Sequence, residues 1–140
     1  MKTSLEIKWV DGMAFESEMD GHKIIIDADD TVGGNDRGPR PKPLMLLSLV
    51  GCTGMDVVSI LKKMRVELEN FKVEVEANQT EEHPKHYDEM KVIYKFWGKD
   101  LPMEKLQKAV DLSEDRYCGV SEVYKKYVKM SNEIQVNPEK

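Results

Sequence analysis

Residues 43–68, PLMLLSLVGCTGMDVVSILKKMRVEL, form the stretch around which the rest of the chain is organised. Its first half, from Leu44 to Val50, leaves almost no polar face, and its second half continues with apolar residues at helical spacing. A helix that is apolar on all sides is typical of a protein interior. The pattern therefore predicts a long, buried central helix over residues 43–68, with Cys52 near its middle.

Length and charge bound the class of protein. A chain of 140 residues with 40% hydrophobic and 34% charged residues predicts a single soluble globular domain over residues 1–140. A net charge of −5 argues against nucleic acid as a main partner. Charged residues interrupt the amino terminus, which excludes a signal peptide, and the fully apolar first half of the helix is too short to span a membrane. We therefore expect a cytoplasmic protein with reduced thiols and no cofactor.

Residues 1–28 predict a three-stranded β-meander. Leu5, Ile7 and Trp9 alternate with polar residues, which is typical of a half-buried strand. Two Asp-Gly dipeptides then mark tight turns between short alternating segments, at positions 11–12 and 20–21. Such a meander has one apolar face, and the central helix is the nearest large apolar element in the sequence.

The segment between meander and helix, residues 29–43, is a loop by composition. Its glycines and prolines exclude regular structure. It also places Arg37, Arg40 and Lys42 just before the helix. These residues indicate either a solvated connector or a cationic lip over a site at the helix, and the sequence leaves both open.

Residues 70–138 predict a β-hairpin, helices and a final strand. His83 and His86 fall in the polar loop of the hairpin, and we interpret them as solvated because no further Cys or His is near enough to complete a metal site. A helix beginning near Pro102 carries one apolar stripe, and a break after Ser113 precedes a second helical pattern. The order βββ-α-ββ-αα-β predicts an α+β fold with largely antiparallel pairing.

The chemistry available to the chain is that of its two cysteines, Cys52 and Cys118. Each can be an inert core residue. As a reactive thiol, Cys52 lies beyond the first turn of its helix and one turn from Asp56, which opposes thiolate formation. It needs a cation, and Arg37, Arg40 and Arg116 are the candidates. Cys118 follows Arg116 and precedes a helix start, so local charges favour Cys118 as the more acidic thiol.

The stretches GPRPKPLMLLSLVGCTGMDVVSILKKMR and VDLSEDRYCGVSEVY resemble the OsmC/Ohr superfamily of osmotically induced and organic hydroperoxide resistance proteins. The likeness covers the whole chain and is greatest to the small OsmC-like subgroup of unknown function. It implies an OsmC-like α+β fold in an intertwined homodimer, with antiparallel sheets around paired central helices. It also implies that Cys52 attacks a hydroperoxide, that Cys118 closes a disulfide, and that an external dithiol reduces the pair.

The sequence departs from the hydroperoxide reductases of that family at the groups that hold the thiolate. Those enzymes use an arginine in the amino-terminal part and a glutamate ten residues before the helix cysteine. The glutamate position here is Lys42, and the first 36 residues contain no arginine. Two functions stay open: a thiol peroxidase acting in oxidative stress defence, and a dimeric protein that binds a small apolar or electrophilic ligand without turnover. A redox sensor is a third possibility.

Overall fold

The computed structural model describes residues 1–139. The chain divides into two compact units, Met1–Leu47 and Ser48–Lys140, and the single domain over residues 1–140 stays a prediction. Each unit has its own three-stranded sheet. Helix α1, Leu44–Lys63, begins at the end of the first unit and continues into the second.

The amino-terminal sheet confirms the predicted meander. Strands β1 (Lys8–Asp11), β2 (Ala14–Met19) and β3 (His22–Ile26) pair antiparallel in the order β1-β2-β3. The prediction that Leu5, Ile7 and Trp9 form a half-buried strand is wrong, because β1 begins only at Lys8 and these side chains are 50–67% exposed. The apolar residues do alternate with polar ones, but nothing within residues 1–139 buries the side chains of Leu5, Ile7 and Trp9.

The loop after β3 is ordered around one buried carboxylate. Asp27 is 2% exposed and accepts hydrogen bonds from the backbone N–H groups of Ala28, Asn35 and Arg37. The loop also passes so close to β3 that a Cβ on Gly38 would lie 2.0 Å from the Ile25 carbonyl oxygen. The segment is therefore a folded connector, with a single 3₁₀ turn at Asp30–Val32.

Helix α1 is shorter and more exposed than the sequence predicted. It ends at Lys63 instead of residue 68, because Arg65 adopts a left-handed conformation and the N–H of Val66 bonds to the Leu61 carbonyl. Only one face is buried, formed by residues spaced four apart: Leu49, Thr53, Val57 and Leu61. The prediction of a helix buried on all sides is thus wrong for the single chain, since several apolar side chains on the other faces are exposed, namely Leu47, Met55 and Val58.

By length and composition α1 could cross a membrane. The core helix of a soluble protein passes the same test, so the finding is weak evidence for a membrane span. The sequence-based exclusion of such a span rested on the fully apolar first half of the helix, whereas the complete helix is 20 residues long. The length of α1 therefore does not support the exclusion of a membrane span.

The carboxyl-terminal sheet contains one parallel pair. Strand β4 (Asn70–Gln79) pairs antiparallel with β5 (Tyr87–Trp97), as predicted, but β6 (Lys129–Val136) pairs parallel with β5. The expectation of antiparallel sheets is wrong at this pair. The connection from β5 to β6 contains two helices, which gives the chain the length that a parallel return requires.

This connection supplies one half of the site described below. Helix α2 (Met103–Leu112) buries the predicted apolar stripe, including Leu106 and Val110. A π-helical turn (Ser113–Tyr117) follows where the sequence periodicity breaks, and leads to the short helix α3 (Gly119–Tyr124). Helix α1 approaches β4 at Gly54, where a Cβ would lie 3.5 Å from a methyl group of Val73.

Candidate functional site

Local structure brings Cys118 to the start of α3. The π-helical turn ends when the Cys118 N–H donates to the Ser113 carbonyl at 2.7 Å, and Cys118 then adopts an extended conformation. Its sulfur accepts a hydrogen bond from the Ser121 N–H at 3.3 Å, in the manner of a helix cap. The side chain of Cys118 is 2% exposed, so this sulfur is fixed and shielded from solvent.

Helix α1 supplies the other half of the site. Cys52 and Asp56 are separated by one helical turn and therefore lie on the same face. The Cys52 and Cys118 sulfurs and a carboxylate oxygen of Asp56 all lie within 4.8 Å of one another. Ser113 donates its hydroxyl to Asp56 Oδ2 at 3.0 Å, which ties the carboxylate to the π-helical turn. The structure thus brings together the two cysteines that the sequence singled out.

The surroundings of Cys52 disfavour its thiolate. Burial is the main cause that raises the pKa of Cys52, and the contact with the Cys118 thiol and the charge of Asp56 raise it further. The backbone N–H of Val120 acts in the opposite direction. Cys52 is nevertheless partly exposed whereas Cys118 is buried, so a reagent from solvent reaches Cys52 first.

An Asp56→Asn variant is expected to lower the pKa of Cys52, because it removes a negative charge and keeps the side-chain shape. The thiolate fraction at neutral pH then rises. Burial is the larger cause of the elevation, so only part of it disappears. The ultraviolet absorbance of the thiolate against pH measures the shift, in a Cys118→Ser background that leaves one thiol to titrate.

The matched control for this titration is Asp115→Asn, which removes one carboxylate from an exposed position on the π-helical turn. We expect this variant to leave the pKa of Cys52 unchanged. A titration curve that Asp56→Asn does not move would contradict the assignment of Asp56 as a neighbour that opposes the thiolate.

The three arginines predicted to stabilise the thiolate have other partners. Arg37 donates from Nε to Asp27 and from its terminal nitrogens to Asp11, at 3.2 and 2.5 Å. Arg40 pairs with the Asp36 carboxylate at 2.7 Å, and the Arg116 guanidinium lies 5.7 Å from the centre of the Tyr117 ring. None of them is among the groups that shift the Cys52 pKa most. Their action on the thiolate stays a prediction.

The sequence did not predict a partly buried polar network that lies next to the site. Tyr94 on β5 donates its hydroxyl to Glu114 Oε1 at 2.8 Å, and Asn132 on β6 donates to Glu114 Oε2 at 2.6 Å. Burial raises the pKa of Glu114, and these two hydrogen bonds oppose that shift. The network joins the π-helical turn to two strands and so fixes the residues that precede Cys118. Strand periodicity could place Tyr94, but no sequence signal pairs it with Glu114.

His83 and His86 lie in the loop between β4 and β5, and both are exposed. Among residues 1–139, the one group of three side chains placed to hold a metal ion is Cys52, Asp56 and Cys118. The sequence indicated Asp56 only as a group that opposes formation of the Cys52 thiolate. Its position one turn after Cys52 was visible in the sequence, but its closeness to Cys118 was not.

Comparisons with known proteins agree with this architecture. A sequence model of the OsmC-like protein family matches residues 33–133. Protein YhfA of Escherichia coli strain K12 is 32% identical over 131 residues, which cover 93% of this chain and 95% of YhfA. A crystal structure of a hypothetical protein from Aquifex aeolicus VF5 is 30% identical, with a TM-score of 0.85 over 100% of both chains.

The fold also matches that of a named resistance protein. The crystal structure of the organic hydroperoxide resistance protein OhrB of Bacillus subtilis aligns over 95% of this chain and 98% of its own, with a TM-score of 0.65. The two sequences are 16% identical, so this likeness concerns the fold. The resemblance drawn from the two cysteine-containing stretches is confirmed, and the chain belongs to the OsmC-like protein family.

Proposed function

We propose that the protein is a thiol-dependent reductase of organic hydroperoxides, with a role in oxidative stress defence. The observation that supports this most is the approach of the Cys52 and Cys118 sulfurs to within 4.8 Å, inside a fold shared with an organic hydroperoxide resistance protein. A disulfide needs sulfurs about 2.05 Å apart, so the two sulfurs must approach further for the bond to form. The pair is free, not bonded, in the structure.

The reaction follows the difference in exposure between the two thiols. The Cys52 thiolate attacks one peroxide oxygen, the O–O bond breaks, and the other oxygen leaves as an alcohol after it takes up a proton. Cys52 is then a sulfenic acid. The Cys118 thiol attacks that sulfur, water leaves, and a disulfide remains. An external dithiol reduces the disulfide by exchange, which completes the cycle.

A groove beside Asp56 supports an apolar substrate. Its volume is about 470 Å³, and it is lined by Asp56, Ser59, Ile60, Lys63, Met64, Leu112 and Tyr117, so it meets the cysteine cluster at Asp56. Apolar residues form most of this wall, so an alkyl or aryl hydroperoxide fits it better than hydrogen peroxide.

We also propose that the protein works in the cytoplasm as a homodimer, in which the exposed apolar side of α1 is covered by the second copy.

A second candidate function is a ligand-binding protein without turnover. It is favoured by the raised pKa of Cys52 and by the absence of a cation among the groups that shift it most. Lys42, which stands where the family's reductases have a glutamate, also favours a binding protein without turnover. In this function the thiol pair would capture an electrophile or report on redox state, and peroxide would be reduced no faster than by a free thiol.

Stopped-flow oxidation of the reduced protein separates the two candidates. With cumene hydroperoxide we expect loss of two thiols per chain, as one intramolecular disulfide, at a rate well above that of free cysteine. With hydrogen peroxide we expect a slower reaction. Thiol loss at the rate of free cysteine with both peroxides would reject the reductase and leave the binding protein.

A further inference from the structure

The two sulfurs and the Asp56 carboxylate form a ligand set for a thiophilic cation. In a tetrahedral zinc site, Zn–S bonds of about 2.3 Å place two sulfurs about 3.8 Å apart. The three candidate ligand atoms here already lie within 4.8 Å of one another. We propose that the reduced protein binds one Zn²⁺ per chain through Cys52, Cys118 and Asp56. This site does not depend on the peroxide chemistry proposed above.

The charges of the cluster favour a cation. Two thiolates and a carboxylate in one small volume repel one another, and each disfavours ionisation of the others. A divalent ion between them reverses the sign of that interaction and makes Asp56 a stabilising group. A carboxylate one turn from Cys52 is a disadvantage for a peroxide-attacking thiolate, but it is a ligand for a metal.

The groups around the cluster fit the outer shell of a metal site. Ser113 holds Asp56 through Oδ2, which leaves the other carboxylate oxygen for the ion. Two thiolates and a carboxylate carry one negative charge more than Zn²⁺ neutralises. The N–H of Ser121 donates to the Cys118 sulfur at 3.3 Å, so one backbone dipole already stabilises negative charge at that ligand.

The fourth coordination position is open to solvent. Cys118 is buried but Cys52 is partly exposed, so an ion between them is reached from the Cys52 side. Three protein ligands and one water are the arrangement of zinc sites that keep an open position. Metal binding and the disulfide exclude each other, because both use the same two sulfurs. Binding releases the thiol protons, whereas disulfide formation transfers two hydrogens to an oxidant.

Zinc titration of the reduced, metal-free protein against a chromophoric chelator tests the site. We expect one Zn²⁺ per chain, and no binding after diamide has converted the pair to a disulfide and taken up its two hydrogens. Asp56→Asn, which keeps both cysteines, is expected to weaken affinity by at least about 10-fold, the loss that even an outer-shell partner produces. Asp115→Asn is the matched control and should bind as wild type does.

The ligand assignment has a second, spectroscopic test. Co²⁺ in place of Zn²⁺ should give thiolate charge-transfer absorption and the visible bands of a tetrahedral ion, both lost in Cys52→Ser. Unchanged zinc affinity in Asp56→Asn, zinc bound equally by the oxidised protein, or an octahedral cobalt spectrum would each overturn the proposal. The peroxide rate of the metal-free protein is measured separately, so failure of the reductase function does not affect this result.

Discussion

A Cys52→Ser variant is expected to lose the fast reaction with cumene hydroperoxide completely. Cys118 is then the remaining thiol, and its 2% exposure keeps it from the peroxide. A serine hydroxyl does not replace the thiolate, since its pKa is far above neutral pH and its oxygen is not oxidised by a peroxide as a thiolate sulfur is. The measurement is the stopped-flow rate and the number of thiols consumed per chain, compared with wild type.

Cys118→Ser is the companion variant, and its expected product differs. Cys52 should still react, but the sulfenic acid has no thiol to resolve it and accumulates, so that dimedone traps it and excess peroxide takes it to the sulfinic acid. The serine at position 118 also keeps the α3 cap, because its oxygen can accept the Ser121 N–H in place of sulfur. The variant therefore removes disulfide formation without removing the cap of α3.

The opposite result has a defined meaning. If Cys118→Ser abolishes the fast step and Cys52→Ser retains it, the roles of the two thiols are exchanged. That is the assignment favoured by local charges in the sequence, where Cys118 follows Arg116 and precedes a helix. The structure favours Cys52 as the attacking thiol through exposure, while its raised pKa slows it. The two variants decide which of these effects is larger.

The spacing of residues in the sequence predicts some contacts of the site and not others. Cys52 and Asp56 are four apart on a predicted helix, so their proximity follows from helical geometry. Cys118 reaches them through the π-helical turn, which appeared in the sequence only as a break in periodicity. The partner of Asp56 on that turn, Ser113, appeared in the sequence only as the last residue before that break. Contacts between distant segments therefore had to come from the structure or from family resemblance.

The arginine prediction shows a different limit. Arg37 was chosen because it precedes the central helix and carries the required charge. Its guanidinium instead bonds to Asp27, a carboxylate ten residues earlier that is buried and held by backbone N–H groups. Asp27 reads as an ordinary turn residue after a strand. Burial of a carboxylate creates a strong demand for a cation, and burial is not visible in local sequence.

Hydrophobic periodicity predicted the helices and strands well, but it predicted poorly how they pair and pack. The Asp-Gly turns and the alternating strands gave the amino-terminal meander, and the helical stretch gave α1 to within a residue at its start. The same pattern could not say that β6 returns parallel to β5, since alternation is the same in both directions. Nor could it say what covers Leu47 or Met55, which lie exposed on the single chain.

Leu49→Ala is expected to lower the free energy of unfolding by about 2–5 kcal/mol, the range for loss of a buried leucine side chain. Leu49 is fully buried on the one covered face of α1, where its loss leaves a cavity. Urea unfolding at constant m-value measures the change. A loss below about 1 kcal/mol would mean that this face is not packed as the structure has it, because cavity formation costs more.

Leu47→Ala is the matched control, since it makes the same substitution two residues earlier on the same helix, at a side chain that is 63% exposed. In a single chain it should change stability by no more than about 0.5 kcal/mol, as surface substitutions do. In the proposed homodimer the second copy covers this side of α1, and the cost of Leu47→Ala then grows with protein concentration, because association adds to stability by mass action. Concentration-independent unfolding of both wild type and Leu47→Ala would contradict that dimer, and it would leave the packing role of Leu49 intact.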